Sequence, residues 1–98
     1  GCATELDYTY SETAANVQWK WEYECRSPEP FAKSLASMQA NGVFVHALNT
    51  PAENETFLTD IHHFIGEPDG YVWEVNLSTF GPPDELDVTY IVTRTPAA

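Results

Sequence analysis

The sequence predicts a small two-layer α+β domain, in which one helix covers one face of a β-sheet. Two observations carry this prediction. Several segments alternate strictly between apolar and polar side chains, which is the pattern of half-buried strands. One further segment has helical spacing with start and stop signals. A chain of 98 residues has room for one core, so we assign residues 1–98 to a single domain.

The chain opens with a predicted β-hairpin over residues 4–25. An antiparallel register built on the apolar alternation gives the pairs Tyr10–Val17, Tyr8–Trp19, Leu6–Trp21, Thr4–Tyr23 and, one step further, Cys2–Cys25. Directly opposed Cβ atoms lie about 4.5–5.5 Å apart, which is close to the spacing of a disulfide. We therefore expect Cys2 and Cys25 to form a disulfide bond.

A disulfide bond indicates an oxidising compartment, and two glycosylation sequons begin at Asn54 and Asn76. We therefore expect a secreted protein that has lost its signal segment, glycosylated at one or both sites. The alternative is a lipid-anchored protein, because Gly1-Cys2-Ala3 is also typical of the end of a lipobox, with Cys2 as the anchored residue.

A helix is predicted over residues 28–41. Ser27 is a suitable cap, Pro28 suits the first helical position, and Asn41-Gly42 provides the stop signal. The helix presents an apolar stripe, which we expect to pack on the aromatic face of the hairpin. This stripe consists of Phe31, Leu35 and Met38, with Ala32 and Ala36 beside them.

The C-terminal strands are expected between residues 43 and 95. Residues 43–48 form an apolar, β-branched run, and residues 71–77 and 86–92 alternate cleanly. Residues 53–66 fit either a helix or a strand, and propensity favours the helix. Residues 95–98 are predicted to fray. This order predicts a β-grasp-like domain, with an N-terminal hairpin and one helix packed on a mixed sheet of four to six strands.

The net negative charge of the chain restricts the classes of molecule that it can bind. Fifteen acidic and four basic side chains give a net charge of −11, which repels phosphate backbones and anionic lipid surfaces. We expect no nucleic-acid partner, and no apolar run is long enough for a membrane span. The free edges of the sheet could pair with a second copy of the chain to form a homo-oligomer.

Three groups of side chains are candidates for a functional site: the histidines, the acidic residues and the aromatic residues. His46, His62 and His63 with Asp60 could bind zinc, but neighbouring strand residues point to opposite faces, so we predict no metal site. The acidic excess lacks a calcium-loop pattern and is interpreted as solvated surface. No nucleophile–base motif is present, so we expect no enzyme. The acidic residues in question are Glu53, Glu55, Glu67, Asp69, Asp84, Glu85 and Asp87.

Aromatic side chains are the better binding candidates. Those of the hairpin, from Tyr8 to Tyr23, are interpreted mainly as a floor for the helix, with a stacking platform as the alternative. Tyr71 and Trp73 follow the turn at Asp69-Gly70 and are predicted to contact a ligand.

Residues 24–38, 56–61, 71–75 and 84–88 resemble the C-terminal domain of transcobalamin and intrinsic factor and the related stand-alone β-grasp modules. The resemblance implies that residues 53–66 are extended and that Phe57 and Thr59 join Tyr71 and Trp73 at the ligand. It also implies a secreted module that forms one face of a corrinoid site beside a helical domain. Tight cobalamin binding without that domain is not expected.

The function predicted from sequence is that of a small secreted, non-enzymatic binding module for a small molecule, such as cobalamin, or for a protein partner. The alternative is a secreted protease inhibitor or toxin-like effector that acts through an exposed loop. For this alternative, the region from Cys25 into the helix resembles the actinobacterial subtilisin-inhibitor family. A structural lipoprotein domain is a third possibility.

Overall fold

The computed structural model describes residues 2–49 and 61–97, which form one helix and a six-stranded sheet in the spatial order β1-β2-β6-β5-β4-β3. All five neighbouring strand pairs are antiparallel. The predicted α+β class is confirmed, whereas the predicted mixed sheet is wrong. The elements are β1 (Cys2–Glu12), β2 (Val17–Cys25), α1 (Glu29–Ala40), β3 (Val45–Asn49), β4 (Ile61–Gly66), β5 (Tyr71–Phe80) and β6 (Leu86–Pro96).

The opening hairpin forms, but its predicted register is wrong by two residues near the turn and by one residue at Thr4. Near the turn, Tyr10 lies opposite Trp19 and Tyr8 lies opposite Trp21. Away from the turn, towards the N-terminal end of β1, the register shifts twice. Each shift adds one residue to β1 only, which is the geometry of a β-bulge. The two shifts restore the predicted pairing of Cys2 with Cys25. Alternation did not reveal the two bulges, because together they add two residues to β1 and so restore the same inward-facing parity at Cys2 as at Tyr10.

Residues 53–66 fitted either a helix or a strand in the sequence analysis, which favoured the helix. The last six of them form strand β4, so the predicted helix is wrong for residues 61–66. Every residue of β4 has a backbone partner in β5, and Ile61 to Ile65 also pair with β3. Pairing on both sides satisfies the backbone of this segment, and this outweighs a local preference for helix. The rest of the ambiguous segment, 53–60, lies outside the described residues.

Helix α1 begins one residue later than predicted. Pro28 is the N-cap, and Ser27 Oγ accepts a hydrogen bond from the backbone N–H of Glu29 at 3.1 Å, so Ser27 still satisfies a helix-start donor. Asn41 ends the helix as predicted. The predicted frayed tail is wrong in part, because Thr95 and Pro96 pair with Val72 and Tyr71 at the end of β6.

The core lies between α1 and one half of the sheet. Phe31 is the buried anchor of the helix, and Leu35 and Met38 pack beside it. The sheet contributes the middle and the β4 side of its inner face together with the far end of the hairpin. Its fully buried side chains are Cys25, Phe64, Leu86 and Val88.

The hairpin aromatics were expected to form the floor beneath the helix, and only one end of the hairpin does so. Tyr23 joins the core cluster, whereas Tyr8 and Tyr10 keep 50% and 49% of their surface exposed. A 12-residue helix is about 18 Å long, too short to cover a six-stranded sheet. Half of the inner face therefore stays open. Within the described residues no helix is long and apolar enough to cross a membrane.

Candidate aromatic binding site

The uncovered half of the inner sheet face carries a cluster of rings around one arginine. Trp19 comes from β2, Tyr71 and Trp73 from β5, and Arg94 from β6, which lies between these two strands. Strand alternation places all four side chains on the same face as the helix, because Arg94 pairs with Val17 on one side and with Trp73 on the other. We call these four residues the ring cluster.

The two indole rings of the ring cluster lie nearly parallel across β6. Their centroids are 6.0 Å apart and their planes differ by 9°. A centroid distance of this size means that the rings are offset rather than face to face. Tyr10 packs edge-on against Trp19 at 5.9 Å and extends the aromatic surface towards the edge of the sheet.

Trp73 is held in place by the turn that precedes its strand. Its indole Nε1 donates a hydrogen bond to Asp69 Oδ1 at 2.8 Å, and the same oxygen accepts the backbone N–H of Tyr71 at 3.2 Å. Gly70 adopts φ +85° in this turn, a conformation that favours glycine. The predicted turn therefore orients the ring that sequence analysis proposed as a ligand contact.

Arg94 lies among the rings instead of in an ion pair. Its guanidinium carbon is 4.8 Å from the centroid of Tyr71 and 5.8 Å from those of Trp19 and Trp73. Among the described residues, the two ion pairs seen are Lys33–Glu29 and His63–Glu74, and neither includes Arg94. Arg94 is half-buried and has no ion-paired carboxylate in the part of the chain that the structure describes, although acidic side chains greatly outnumber basic ones in the sequence.

A small cleft opens beside Arg94, between the β1–β2 turn and the ends of β5 and β6. It has a volume of about 140 Å³. The turn is held by Thr13, whose Oγ1 accepts the backbone N–H groups of Ala15 and Asn16, both at 3.1 Å. The lining consists of residues 12–17 with Tyr71, Arg94 and Pro96.

One carboxylate borders the cleft and is already engaged. Glu12 Oε2 accepts the Tyr10 hydroxyl at 2.7 Å. This hydrogen bond, and then desolvation and the charge of Glu12, raise the pKa of Tyr10, whereas the charge of Arg94 acts in the opposite direction.

A larger groove lies along helix α1. Its volume is about 560 Å³, within the range of small-molecule sites. It adjoins the ring cluster, because Val92 in its lining is the backbone partner of Trp19. Its lining residues are Trp21, Tyr23, Val75, Leu77, Tyr90 and Val92 from the sheet and Lys33, Ser34, Ser37 and Met38 from the helix.

The histidines lie on β3 and β4, away from the ring cluster. His46 Nε2 and His62 Nδ1 are 2.9 Å apart on the inner face, whereas His63 is 3.4 Å from Glu74 on the outer face. His62 and His63 point to opposite faces, as predicted. No group of three metal-binding side chains occurs among the described residues, and Asp60 lies outside them.

Glu12 lines the cleft, whereas other acidic side chains of the described residues lie in the turns and on the outer face. Glu22 and Asp87 approach each other there, and their hydrogen bonding and like charge raise the pKa of Glu22. Asn76, the second sequon, occupies an outer-face position of β5 and pairs with Ile91. Asn54 and the predicted ligand residues Phe57 and Thr59 lie outside the described residues.

The structure brings two predicted ligand residues, Tyr71 and Trp73, together with Trp19, which belonged to the alternative stacking platform of the hairpin, and with Arg94, which sequence analysis did not name. A signal for Arg94 is present in the sequence. Every second residue of the last strand, Leu86, Val88, Tyr90 and Val92, is apolar and was predicted to face inward. Arg94 is the next residue at this spacing, so a cation occupies a position where the pattern predicts an apolar side chain. No protein family profile, curated protein or solved structure matches this chain.

Proposed function

We propose that this chain is a small secreted, non-enzymatic binding module whose ligand is a small planar molecule that stacks on the ring cluster and extends into the groove along α1. The observation that carries the proposal is the parallel pair Trp19–Trp73, 6.0 Å between centroids, on the half of the sheet face that the helix leaves open. Indole rings offer large, rigid surfaces for stacking at little cost in side-chain entropy.

Pre-organisation supports this proposal. The hydrogen bond from Trp73 to Asp69 at 2.8 Å and the packing of Tyr10 on Trp19 restrain both rings before any ligand arrives. A restrained site loses less conformational entropy on binding than a mobile one. Ring faces and a guanidinium can bind and orient a molecule, but they supply neither a nucleophile nor an acid–base pair, which favours a binding role over catalysis.

Secretion and a disulfide between Cys2 and Cys25 are part of the same proposal. The two residues are backbone partners at the far end of the hairpin, and Cys25 is fully buried. A bridge there would join the edge strand β1 to the core. The relation to transcobalamin-like β-grasp modules also remains a proposal, supported by the order of hairpin, helix and further strands.

The binding experiment is an NMR titration of the full ¹⁵N-labelled chain, with the three indole Nε1–H signals as reporters. The ligands are cyanocobalamin, which the family resemblance implies, 2-naphthamide, and a β-linked glucose oligosaccharide. We expect a planar ligand to shift the signals of Trp19 and Trp73. Binding should weaken by about fivefold or more in Trp19→Ala and in Trp73→Ala, which each remove a stacking surface worth about 1 kcal/mol.

Phe80→Ala is the matched control, because Phe80 is an aromatic residue on the outer face with 62% of its surface exposed. It should leave binding unchanged. Failure of all three ligands to shift either indole signal would refute the small-molecule proposal. An equal loss of binding in Phe80→Ala and Trp73→Ala would place the ligand elsewhere.

A further inference from the structure

The ring cluster contains a cation, Arg94, that forms no ion pair with any carboxylate of residues 2–49 and 61–97. A guanidinium that packs against aromatic rings uses its flat faces, and its five N–H donors lie in the plane at its edge. Arg94 lies over the ring of Tyr71, with its guanidinium carbon 4.8 Å from the ring centroid. The edge of the guanidinium is thus left for an acceptor that arrives with the ligand.

We propose that the ligand of the ring cluster carries a carboxylate, which Arg94 receives at the mouth of the 140 Å³ cleft while the planar body stacks on Trp19 and Trp73. This inference rests on the proposed function and specifies its ligand class. A carboxylate matches the planar fork of arginine with two parallel hydrogen bonds. The small cleft and the net charge of −11 favour a single carboxylate over a doubly charged phosphate.

The surrounding charges agree with this assignment. Of the four basic side chains in the sequence, Arg94 lies in the ring cluster and Lys33 lines the adjoining groove, where it is already paired with Glu29 at 3.1 Å. Glu12 is the acidic side chain that lines the cleft. It opposes an anion, and the Tyr10 hydroxyl partly offsets its charge by donating a hydrogen bond at 2.7 Å.

The test compares 2-naphthoate with 2-naphthamide, which has the same shape without the charge, by calorimetric titration of the full chain. In the wild type, the carboxylate should bind about tenfold more tightly at low salt, the effect of one charge-assisted contact. This preference should shrink as salt is added. Arg94→Gln should bring the two affinities to within about twofold, and Arg94→Lys should retain part of the preference.

Glu12→Gln should change the affinity for 2-naphthoate in the opposite direction to Arg94→Gln. Removal of this charge should tighten the binding of 2-naphthoate about threefold and leave 2-naphthamide unchanged, a pattern that a purely structural role would not produce. This arm and the wild-type comparison keep the proposal testable even if Arg94→Gln does not fold.

The outcomes separate the two proposals. Equal binding of both compounds to the wild type would overturn the carboxylate assignment and leave the stacking site in place. Binding of neither compound would overturn the stacking site, and the carboxylate assignment with it. A preference for 2-naphthoate that Arg94→Gln preserves would assign the carboxylate to another cation and refute the role of Arg94.

Discussion

Asp69 and Trp73 are joined by a hydrogen bond from the indole Nε1 to Oδ1 at 2.8 Å, across a turn of four residues. Asp69 thereby connects the Glu67–Gly70 turn to the aromatic site, because the same oxygen also accepts the N–H of Tyr71. The orientation of the Trp73 ring thus depends on a carboxylate that sequence analysis assigned to the solvated surface.

Asp69→Ala should loosen Trp73 and weaken ligand binding about threefold, since the ring must then be ordered by the ligand itself. The fold should persist, with a loss of about 1 kcal/mol in the free energy of unfolding. The measurements are the chemical shift of the Trp73 indole proton and the titration described above. Asp84→Ala, in the exposed turn before β6, is the control. An unchanged indole signal in Asp69→Ala would contradict this prediction.

Gly66→Ala should destabilise the domain. A Cβ atom at Gly66 would lie 2.8 Å from the backbone oxygen of Val43 and 2.9 Å from Cδ1 of Phe44. Relief of such overlap costs about 1–3 kcal/mol, and chemical denaturation would measure it. Gly42→Ala is the matched control, because a Cβ there meets nothing within 4 Å. Equal stability of the two variants would contradict the close approach at Gly66.

Glu22→Gln should raise the thermal unfolding temperature at pH 7. The pKa of Glu22 is raised in the folded state, first by hydrogen bonding to Asp87 and then by the charge of Asp87. A raised carboxyl pKa means that the folded state binds more protons than the unfolded state, so stability falls as pH rises through the window above the ordinary glutamate pKa.

The advantage of Glu22→Gln should therefore disappear when the pH is lowered below that window, where the glutamate is protonated in both states. Thermal unfolding followed by circular dichroism at a series of pH values provides the measurement. Glu67→Gln, in the exposed turn after β4, is the control and should show no such trend. A stabilisation that is independent of pH would argue against the Glu22–Asp87 pair as its cause.

The proposed Cys2–Cys25 disulfide predicts that the native protein, denatured without reductant, does not react with a thiol reagent. Reduction to two thiols should add two hydrogen atoms to the intact mass. It should also lower the free energy of unfolding by about 3 kcal/mol on the loop-entropy model. The double variant Cys2→Ser/Cys25→Ser should be destabilised and indifferent to reductant. Two reactive thiols in protein purified without reductant would refute the bridge, and with it the main argument for secretion.

Local patterns in the sequence were enough to identify the hairpin, the helix with its stop at Asn41, and the two long C-terminal strands. These features depend on alternation, helical spacing and turn residues, which act over a few neighbouring positions. The pairing of Cys2 with Cys25 followed from the same reasoning. The register between the turn and this pair did not, because the two bulges in β1 together add two residues and so preserve the parity of the alternation at both ends of the strand.

The tertiary structure decided what local pattern could not. It placed residues 61–66 in a strand, because backbone pairing on both sides outweighs local preference. It also decided which aromatic residues are core and which form a surface. The hairpin supplies one continuous aromatic face, but the helix covers only the end at Tyr23 and Cys25. Trp19, Trp73 and Arg94 come from three different strands, and only the insertion of β6 between β2 and β5 brings them together.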